Sequence, residues 1–379
     1  MIINIATGPW LPVPAVQGGA IPRLWQGLAE EFAARGHQVS ILCRSYPSQP
    51  HTEVINGVQY IRHGGFPQST NITLDLLKDF FYSLLTFPRL PHADILVIND
   101  FWLPIFACLR PKAGKVVINA NRFPKGQYWL YAGTSFFAVA SQAIQEAIAK
   151  EYPAAISRME IIPNPIDTRI FSPSTQPKLA RKEKLILYVG RIHPEKGVHL
   201  LLDAFSILSQ KISTVKLRII GPIKENQGGG GDTYLRKLDA QSVGLSVEFL
   251  EPIFNIYKLA EAYREADIFC YPSLAEKGES FGVAPLEAMA SGLVPVVSDL
   301  ACFKDFIEDG KTGYFFNHRT VDAAKNLSDK LFSAIIDSDN NNTMSIQATQ
   351  KAQEFNYEQV TQRYLADFEK ILLFKNSSF

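Results

Sequence analysis

The stretch IFCYPSLAEKGESFGVAPLEAMASGLVPVVS, residues 268–298, opens and closes on apolar runs too short for a helix and flanked by turn-forming residues. Ile268 to Tyr271 and Val294 to Ser298 therefore read as buried strands. Between them, Pro285 suits the first turn of a helix and Gly292 its C′ end, which predicts a short helix near Val283 to Ser291. Strand, loop, helix and strand in so short a span make a βαβ unit with parallel strands. This reading puts Glu279 in the loop and Glu287 in the first turn of the helix. The N–H groups of Phe281, Gly282 and Val283, unused by a helix start, could then hold an anion with the helix dipole assisting.

The same alternation runs outward in both directions. Strands are expected at Ile2 to Ala6, Gln38 to Cys43, Ile95 to Asn99, Lys115 to Ala120, Phe136 to Ala140 and Met159 to Ile162. A second set follows at Leu185 to Val189, Lys216 to Ile220, Glu248 to Leu250, Ile268 to Tyr271, Val294 to Ser298 and Gly313 to Phe316. Helix-like stretches separate them, so the fold class is α/β with two doubly wound halves. The proline-rich segment between the halves reads as a linker at 166–182, between a first domain, 1–165, and a second, 183–355. An amphipathic stretch from Tyr357 to Leu373 predicts a closing helix within 356–379, expected to pack back on the first domain.

A basic turn, Gly190-Arg-Ile-His-Pro-Glu-Lys196-Gly197, follows the strand ending at Val189. Cations there sit at a carboxyl edge of the sheet, where doubly wound folds bind ligands. Arg191 offers a planar fork for phosphate oxygens and Lys196 a point charge. A solvated surface turn is the competing reading. Carboxylates only accept hydrogen bonds, so Glu279 suits sugar hydroxyls and Glu287 ribose hydroxyls. Alternatively Glu279 is a solvated loop residue and Glu287 a favourable charge near a helix N-terminus, worth about 0.3–1 kcal/mol.

Composition limits the function classes. Lys and Arg total 38 against 37 Asp and Glu, so no net field favours nucleic acid or an anionic membrane. Four cysteines, Cys43, Cys108, Cys270 and Cys302, form no paired metal or redox motif and read as buried thiols. The opening MIINIATG reads as a strand rather than a leader, and no apolar run reaches the roughly 20 residues of a spanning helix. A cytoplasmic enzyme is expected, with peripheral membrane contact left open. The stretch Leu74 to Leu90 could offer an apolar face to a lipid but, with few cations, reads better as a core helix. Asp337-Ser-Asp339 has the form of a metal-binding pair but lies in an Asn-rich run that reads as a loop, and no metal site is expected.

The segment Glu279 to Glu287 has the E-x₇-E form of the family 4 retaining glycosyltransferases (glycosyl transferases group 1), and with the Arg191 and Lys196 turn it resembles that family's donor site. The likeness extends to Pro14-Ala-Val-Gln-Gly18-Gly19, Arg35-Gly-His-Gln-Val39, Pro163-Asn-Pro-Ile-Asp167, Phe171-Ser-Pro173 and Phe355-Asn-Tyr-Glu. It implies a GT-B fold, two Rossmann-like domains facing each other across a cleft, and closure about the linker. Implied with it are a nucleotide-diphosphate sugar as co-substrate, most often UDP- or GDP-linked, no further cofactor, and a hydroxyl acceptor. Arg191, Lys196 and Glu279 would be catalytic; Gly18, Gly19, Ile253, Phe281, Gly282, Val283 and Glu287 would bind the donor.

Three departures stand out. Glu251 replaces a usual glycine near Ile253, Asn99-Asp100 stands where His-Asp is frequent, and Asn121 stands where a histidine is common near the donor sugar. Asn99, Asp100, Asn121 and Arg122 are accordingly the sugar- and acceptor-side candidates, and Arg122 to Trp129 a mixed basic and aromatic acceptor wall. An amide cannot act as a general base, so a front-face transfer, with the departing phosphate taking the acceptor proton, is expected. A sugar-nucleotide epimerase of the same fold and a non-catalytic binding homologue remain the rival readings.

Overall fold

A computed structural model describes residues 1–47, 49–69, 71–175 and 183–373. The chain divides into two compact units, Met1–Pro165 with Tyr357–Phe379, and Ile166–Asn356. Of the stretches assigned to the linker and the closing segment, 176–182 and 374–379 lie outside the described residues.

In the first unit the elements run β1 (Ile2–Ala6), α1 (Ala20–Ala34), β2 (Gln38–Cys43), β3 (Thr52–Ile55), β4 (Val58–Arg62), α2 (Ile72–Thr86), β5 (Ile95–Ile98), α3 (Leu103–Ala107), β6 (Lys115–Ala120), β7 (Phe136–Val139), α4 (Gln142–Glu151) and β8 (Met159–Ile161). One sheet holds them in the order β3-β4-β2-β1-β5-β6-β7-β8, parallel except for β3. The inner strands are buried on both faces, which is why β5 and β7 read as unbroken apolar runs. The hairpin β3–β4 is an addition to the expected strands. Its turn is Asn56-Gly57, both at positive φ (50° and 79°), the pairing that a tight two-residue hairpin requires.

The second unit runs β9 (Lys184–Val189), α5 (Val198–Lys211), β10 (Val215–Ile220), α6 (Gly231–Ser242), β11 (Val247–Leu250), α7 (Ile256–Glu265), β12 (Ile268–Tyr271), α8 (Val283–Ala290), β13 (Val294–Ser298), β14 (Tyr314–Phe316), α9 (Ala323–Ile336) and α10 (Ser338–Gln353). Its sheet, β11-β10-β9-β12-β13-β14, is wholly parallel, and its strand order reverses between β9 and β12. The last helix, α11 (Tyr357–Leu373), belongs to the first unit, where Val360, Tyr364 and Phe368 close the core over Trp25 and Phe32 of α1.

Two expectations are corrected here. The Asn-rich run is not a loop: Asp337 caps α10 by accepting from the Asn340 N–H at 3.2 Å, and Asp339 lies in its first turn. What the polar string conceals is a narrow stripe, Met344, Ala348 and Ala352, buried at four-residue spacing. Nor is Leu74 to Leu90 a core helix. The side of α2 that packs inward carries Asp79, Tyr82, Ser83 and Thr86, while Leu74, Leu77, Phe81, Leu84 and Leu85 are exposed. The cause is polar: Asp79 accepts the N–H groups of Phe101 and Trp102 at 3.2 and 3.0 Å, anchoring the start of α3.

Candidate active site

Two turns leave the second sheet where its strand order reverses. One follows β9 and carries Arg191 and Lys196; the other follows β12 and carries Ser273 and Glu279. They meet through Gly197, at φ +69°, where a Cβ would fall 2.0 Å from the Pro272 carbonyl oxygen. The Leu274 N–H donates to the Glu195 carbonyl at 2.7 Å and fastens the second turn to the first.

At this junction the Lys196 Nζ donates to Glu279 Oε2 at 2.6 Å, and the Ser273 hydroxyl donates to the same oxygen at 3.0 Å. Lys196 is 5% exposed and Glu279 8%, so neither is a solvated loop residue. The ammonium also lies 5.8 Å from the centroid of Tyr271, whose ring stacks on Tyr188. Burial, and then the Glu279 charge, push both phenols well above their usual range, so they stay neutral. A buried pair of this kind adds little net stability, but it fixes two opposite charges beside the switch point.

Arg191 is exposed. Its guanidinium donates to the Gly228 carbonyl at 2.9 Å and to Glu195 Oε1 at 2.6 Å, while its own carbonyl accepts from the Tyr188 hydroxyl at 2.8 Å. A guanidinium has five N–H donors, so these bonds aim the fork without exhausting it.

The loop after Glu279 enters α8 at Gly282, which is the helix N-cap. Phe281 packs its ring on Phe306 and Phe355 at 5.2 and 5.9 Å, so only its backbone faces the turn. Glu287 is in the second turn of α8 rather than the first, because the helix starts at Val283. It is 5% exposed and accepts from the Tyr263 hydroxyl at 3.1 Å. Ile253 is half-buried beyond the carboxyl end of β11, the edge strand, two strands along from β9.

In the first unit the sheet reverses between β1 and β5, and the sugar-side candidates cluster there. Gly18 and Gly19 end the loop before α1, where a Cβ on Gly19 would meet Leu11 Cδ1 at 2.4 Å. The loop's base is pinned by Arg62, which donates through Nη2 to the Val13 carbonyl at 3.1 Å. Asn99 is already engaged: its Oδ1 accepts from Trp25 Nε1 at 2.8 Å and its Nδ2 donates to the Ala6 carbonyl at 3.0 Å. Asn121 donates to Asn119 Oδ1, and Asn119 donates in turn to the Tyr364 hydroxyl at 2.9 Å. The Asn121 Oδ1 is buried and unpartnered among the described residues. Arg122 is exposed, and its charge acts favourably on the Asp79 carboxylate.

Asp100 is buried, and both its oxygens lack a partner among the described residues. Burial first, and the nearby Asp79 second, raise its carboxyl well above the usual range. Asp79, also desolvated, is raised to about 6 despite its two backbone N–H bonds. Raised carboxyls bind protons more tightly in the native state, so the contribution of Asp79 is fully present below pH ~4 and is lost as pH rises through about 6, and that of Asp100, raised further, is lost in the same direction. Asp100→Asn removes this penalty. Its melting temperature should exceed the parent's by more at pH 8 than at pH 5; an equal difference at both would show that the Asp100 carboxyl is not raised.

The model of the group 1 glycosyl transferases matches residues 173–351, and that of Glycosyltransferase Family 4 matches residues 21–170. The chain belongs to the family 4 glycosyltransferases. Among curated relatives of this glycosyltransferase, a phosphatidyl-myo-inositol mannosyltransferase of Mycobacterium tuberculosis is 28% identical over 79% of each chain. A lipopolysaccharide 1,2-N-acetylglucosaminetransferase of Salmonella typhimurium is 30% identical over 46% of this chain and 47% of its own. Sucrose-phosphate synthase from Thermosynechococcus elongatus superposes with a TM-score of 0.79 at 19% identity, over the whole of both chains. Anabaena HepE in complex with UDP-glucose gives 0.74 at 17% identity, over 98% of this chain and 100% of its own. These likenesses establish the GT-B fold.

Three residues of this glycosyltransferase escaped the sequence reading. Ser273 stands two residues after β12 at the carboxyl edge, a position that marks it in any doubly wound sheet. Glu195, between the two cations, binds Arg191. Asp79 is a carboxylate in the midst of an apolar helix, which was itself the signal.

Proposed function

We propose that this chain is a retaining, metal-independent glycosyltransferase that moves a hexose-type unit from a UDP- or GDP-linked sugar to a hydroxyl acceptor. The observation that carries the reading is the buried Lys196–Glu279–Ser273 cluster at the second sheet's switch point. The Lys196 ammonium has three N–H donors and spends one on Glu279, which leaves two for diphosphate oxygens. Arg191 supplies the second cation, the start of α8 supplies N–H groups, and Glu287 accepts from ribose. Glu279 orients the sugar hydroxyls.

In this mechanism the bond from the anomeric carbon to the phosphate oxygen breaks, while the acceptor oxygen attacks the same face. The released phosphate takes the acceptor proton, and Arg191 and Lys196 stabilise the nucleoside diphosphate as its charge grows. Glu279 and Glu287 bind rather than trade protons, so the two-carboxylate scheme of glycosidases does not apply. On the acceptor side Asn121 contributes a buried carbonyl and Arg122 a cation.

The test is a screen of UDP-, GDP- and ADP-sugars, following nucleotide release and melting temperature. Glu279→Ala should abolish transfer. Because it leaves Lys196 without its carboxylate, the melting shift on adding nucleoside diphosphate should persist or grow. Transfer at the parent's rate would remove Glu279 from the sugar, and a protein that no nucleotide stabilises would remove the donor site.

A further inference from the structure

We infer that the glycine run 228–231 is a positioning element that aims Arg191 at the diphosphate, an inference that rests on the reading of Arg191 as a phosphate-binding cation. The run, Gly228-Gly-Gly-Gly231, lies between β10 and α6, and β10 is the neighbour of β9 in the sheet. A glycine-rich loop ahead of a helix commonly cradles phosphate with free backbone N–H groups. This one has spent them. The N–H groups of Gly228, Gly229, Gly230 and Gly231 donate to the carbonyls of Glu225, Lys224, Ile192 and Ile223 at 2.9, 3.0, 2.9 and 2.8 Å. Asp232 then places a carboxylate in the first turn of α6, where an anion would meet a like charge.

What the run supplies instead is a carbonyl and the absence of side chains. The Gly228 carbonyl accepts from Arg191 Nη1 at 2.9 Å. Ile192, next along from Arg191, is held on both sides: its N–H donates to the Pro222 carbonyl and its carbonyl accepts from the Gly230 N–H, each at 2.9 Å. A Cβ on Gly229 would lie 2.2 Å from the Ile223 carbonyl oxygen, so the loop reaches this position only without one. Gly228 is at φ +79°, and a Cβ there would come 3.0 Å from Arg191 Cδ. The approach of the loop to the guanidinium therefore depends on glycine.

Arg191 needs this hold because its other one is weak. Its ion pair with Glu195 is open to solvent, where such pairs add little, and the carboxylate cancels charge that the phosphates would otherwise feel. A carbonyl fixes one edge of the fork without neutralising it. Held at both edges, the guanidinium is ordered before the ligand arrives, and its remaining N–H donors face the growing charge with no further loss of freedom.

The test is a double-mutant cycle on nucleotide binding by the full chain, with UDP, GDP and ADP each titrated by calorimetry. Gly228→Asn preserves the loop's backbone, since Asn tolerates positive φ, but sets a side chain against Arg191. It should weaken binding of the nucleoside diphosphate about fivefold. In an Arg191→Lys background, where the fork is gone, the same change should weaken binding by no more than about 1.5-fold. A defect of the fold would cost as much in both backgrounds. Gly244→Asn is the control, with the same φ of +79° and nothing within 4 Å of its Cβ; it should melt as Gly228→Asn does and bind as the parent does. Equal losses in the two backgrounds, full binding by Gly228→Asn, or a matching loss in Gly244→Asn would each overturn the inference. A parent that binds none of the three nucleotides, or an Arg191→Lys variant with the parent's affinity, would overturn the donor-site reading itself and the inference with it.

Discussion

Lys196→Met is expected to lower kcat/KM by roughly 10²–10³-fold and to destabilise the second unit by about 3–5 kcal/mol. The two losses have different origins. The rate falls because the cation that would neutralise the departing diphosphate is gone. Stability falls because Glu279, 8% exposed, is left with neutral hydroxyl partners in place of a 2.6 Å ion pair. Glu279→Gln added to Lys196→Met removes the orphaned charge, so the double variant should recover most of the melting temperature and none of the rate. Melts and rates on both single variants and the double therefore separate what the pair does for the fold from what it does for the reaction. A Lys196→Met enzyme within tenfold of the parent would show that the leaving group is neutralised elsewhere.

That cluster was half legible in the sequence. Arg191, Lys196, Glu279 and Glu287 lie next to strand ends, and in a doubly wound sheet the carboxyl edge is where ligands go, so position alone marked them. What the spacing could not tell was which of them touch. The contact of Lys196 with Glu279 joins residues 83 apart, and it exists because Gly197 lets the two turns approach. The strands were legible for the same local reason: β1, β2, β6, β12 and β13 begin and end where their apolar runs do. The hairpin β3–β4 is announced only by Asn56-Gly57, because its strands alternate polar and apolar and form no buried run.

The helices show the deeper limit. Periodicity gives the spacing of a stripe but not the side on which it lies. For α2 the inner side was decided by backbone N–H groups of Phe101 and Trp102 that needed the Asp79 carboxylate, a demand written 22 and 23 residues downstream. For α10 three small or flexible residues sufficed to bury one edge of a string whose composition argues for a loop. Among the sugar-side candidates, Asn99 proved to spend its amide on Trp25 and Ala6, a use that no motif position reveals.

Tyr364→Ala should be the most damaging single change in the first unit, although Tyr364 lies about two hundred residues beyond the rest of that unit. Its ring is 1% exposed and meets Trp25, Phe32 and Phe368 at 5.6, 6.3 and 5.7 Å between centroids. Truncation opens a cavity where α11 seals α1, at a cost of about 3–5 kcal/mol, which lowers the unit's melting temperature by roughly 10 °C. Tyr364→Phe separates packing from polarity. It keeps the ring but removes the acceptor of the Asn119 amide, the group that orients Asn121. It should cost only about 1–3 kcal/mol, yet transfer should slow by about 2- to 10-fold, while the melting shift on adding nucleoside diphosphate stays as in the parent. If Tyr364→Phe lowers stability and leaves transfer untouched, the chain from Tyr364 through Asn119 is purely structural, and Asn121 does not reach the sugar.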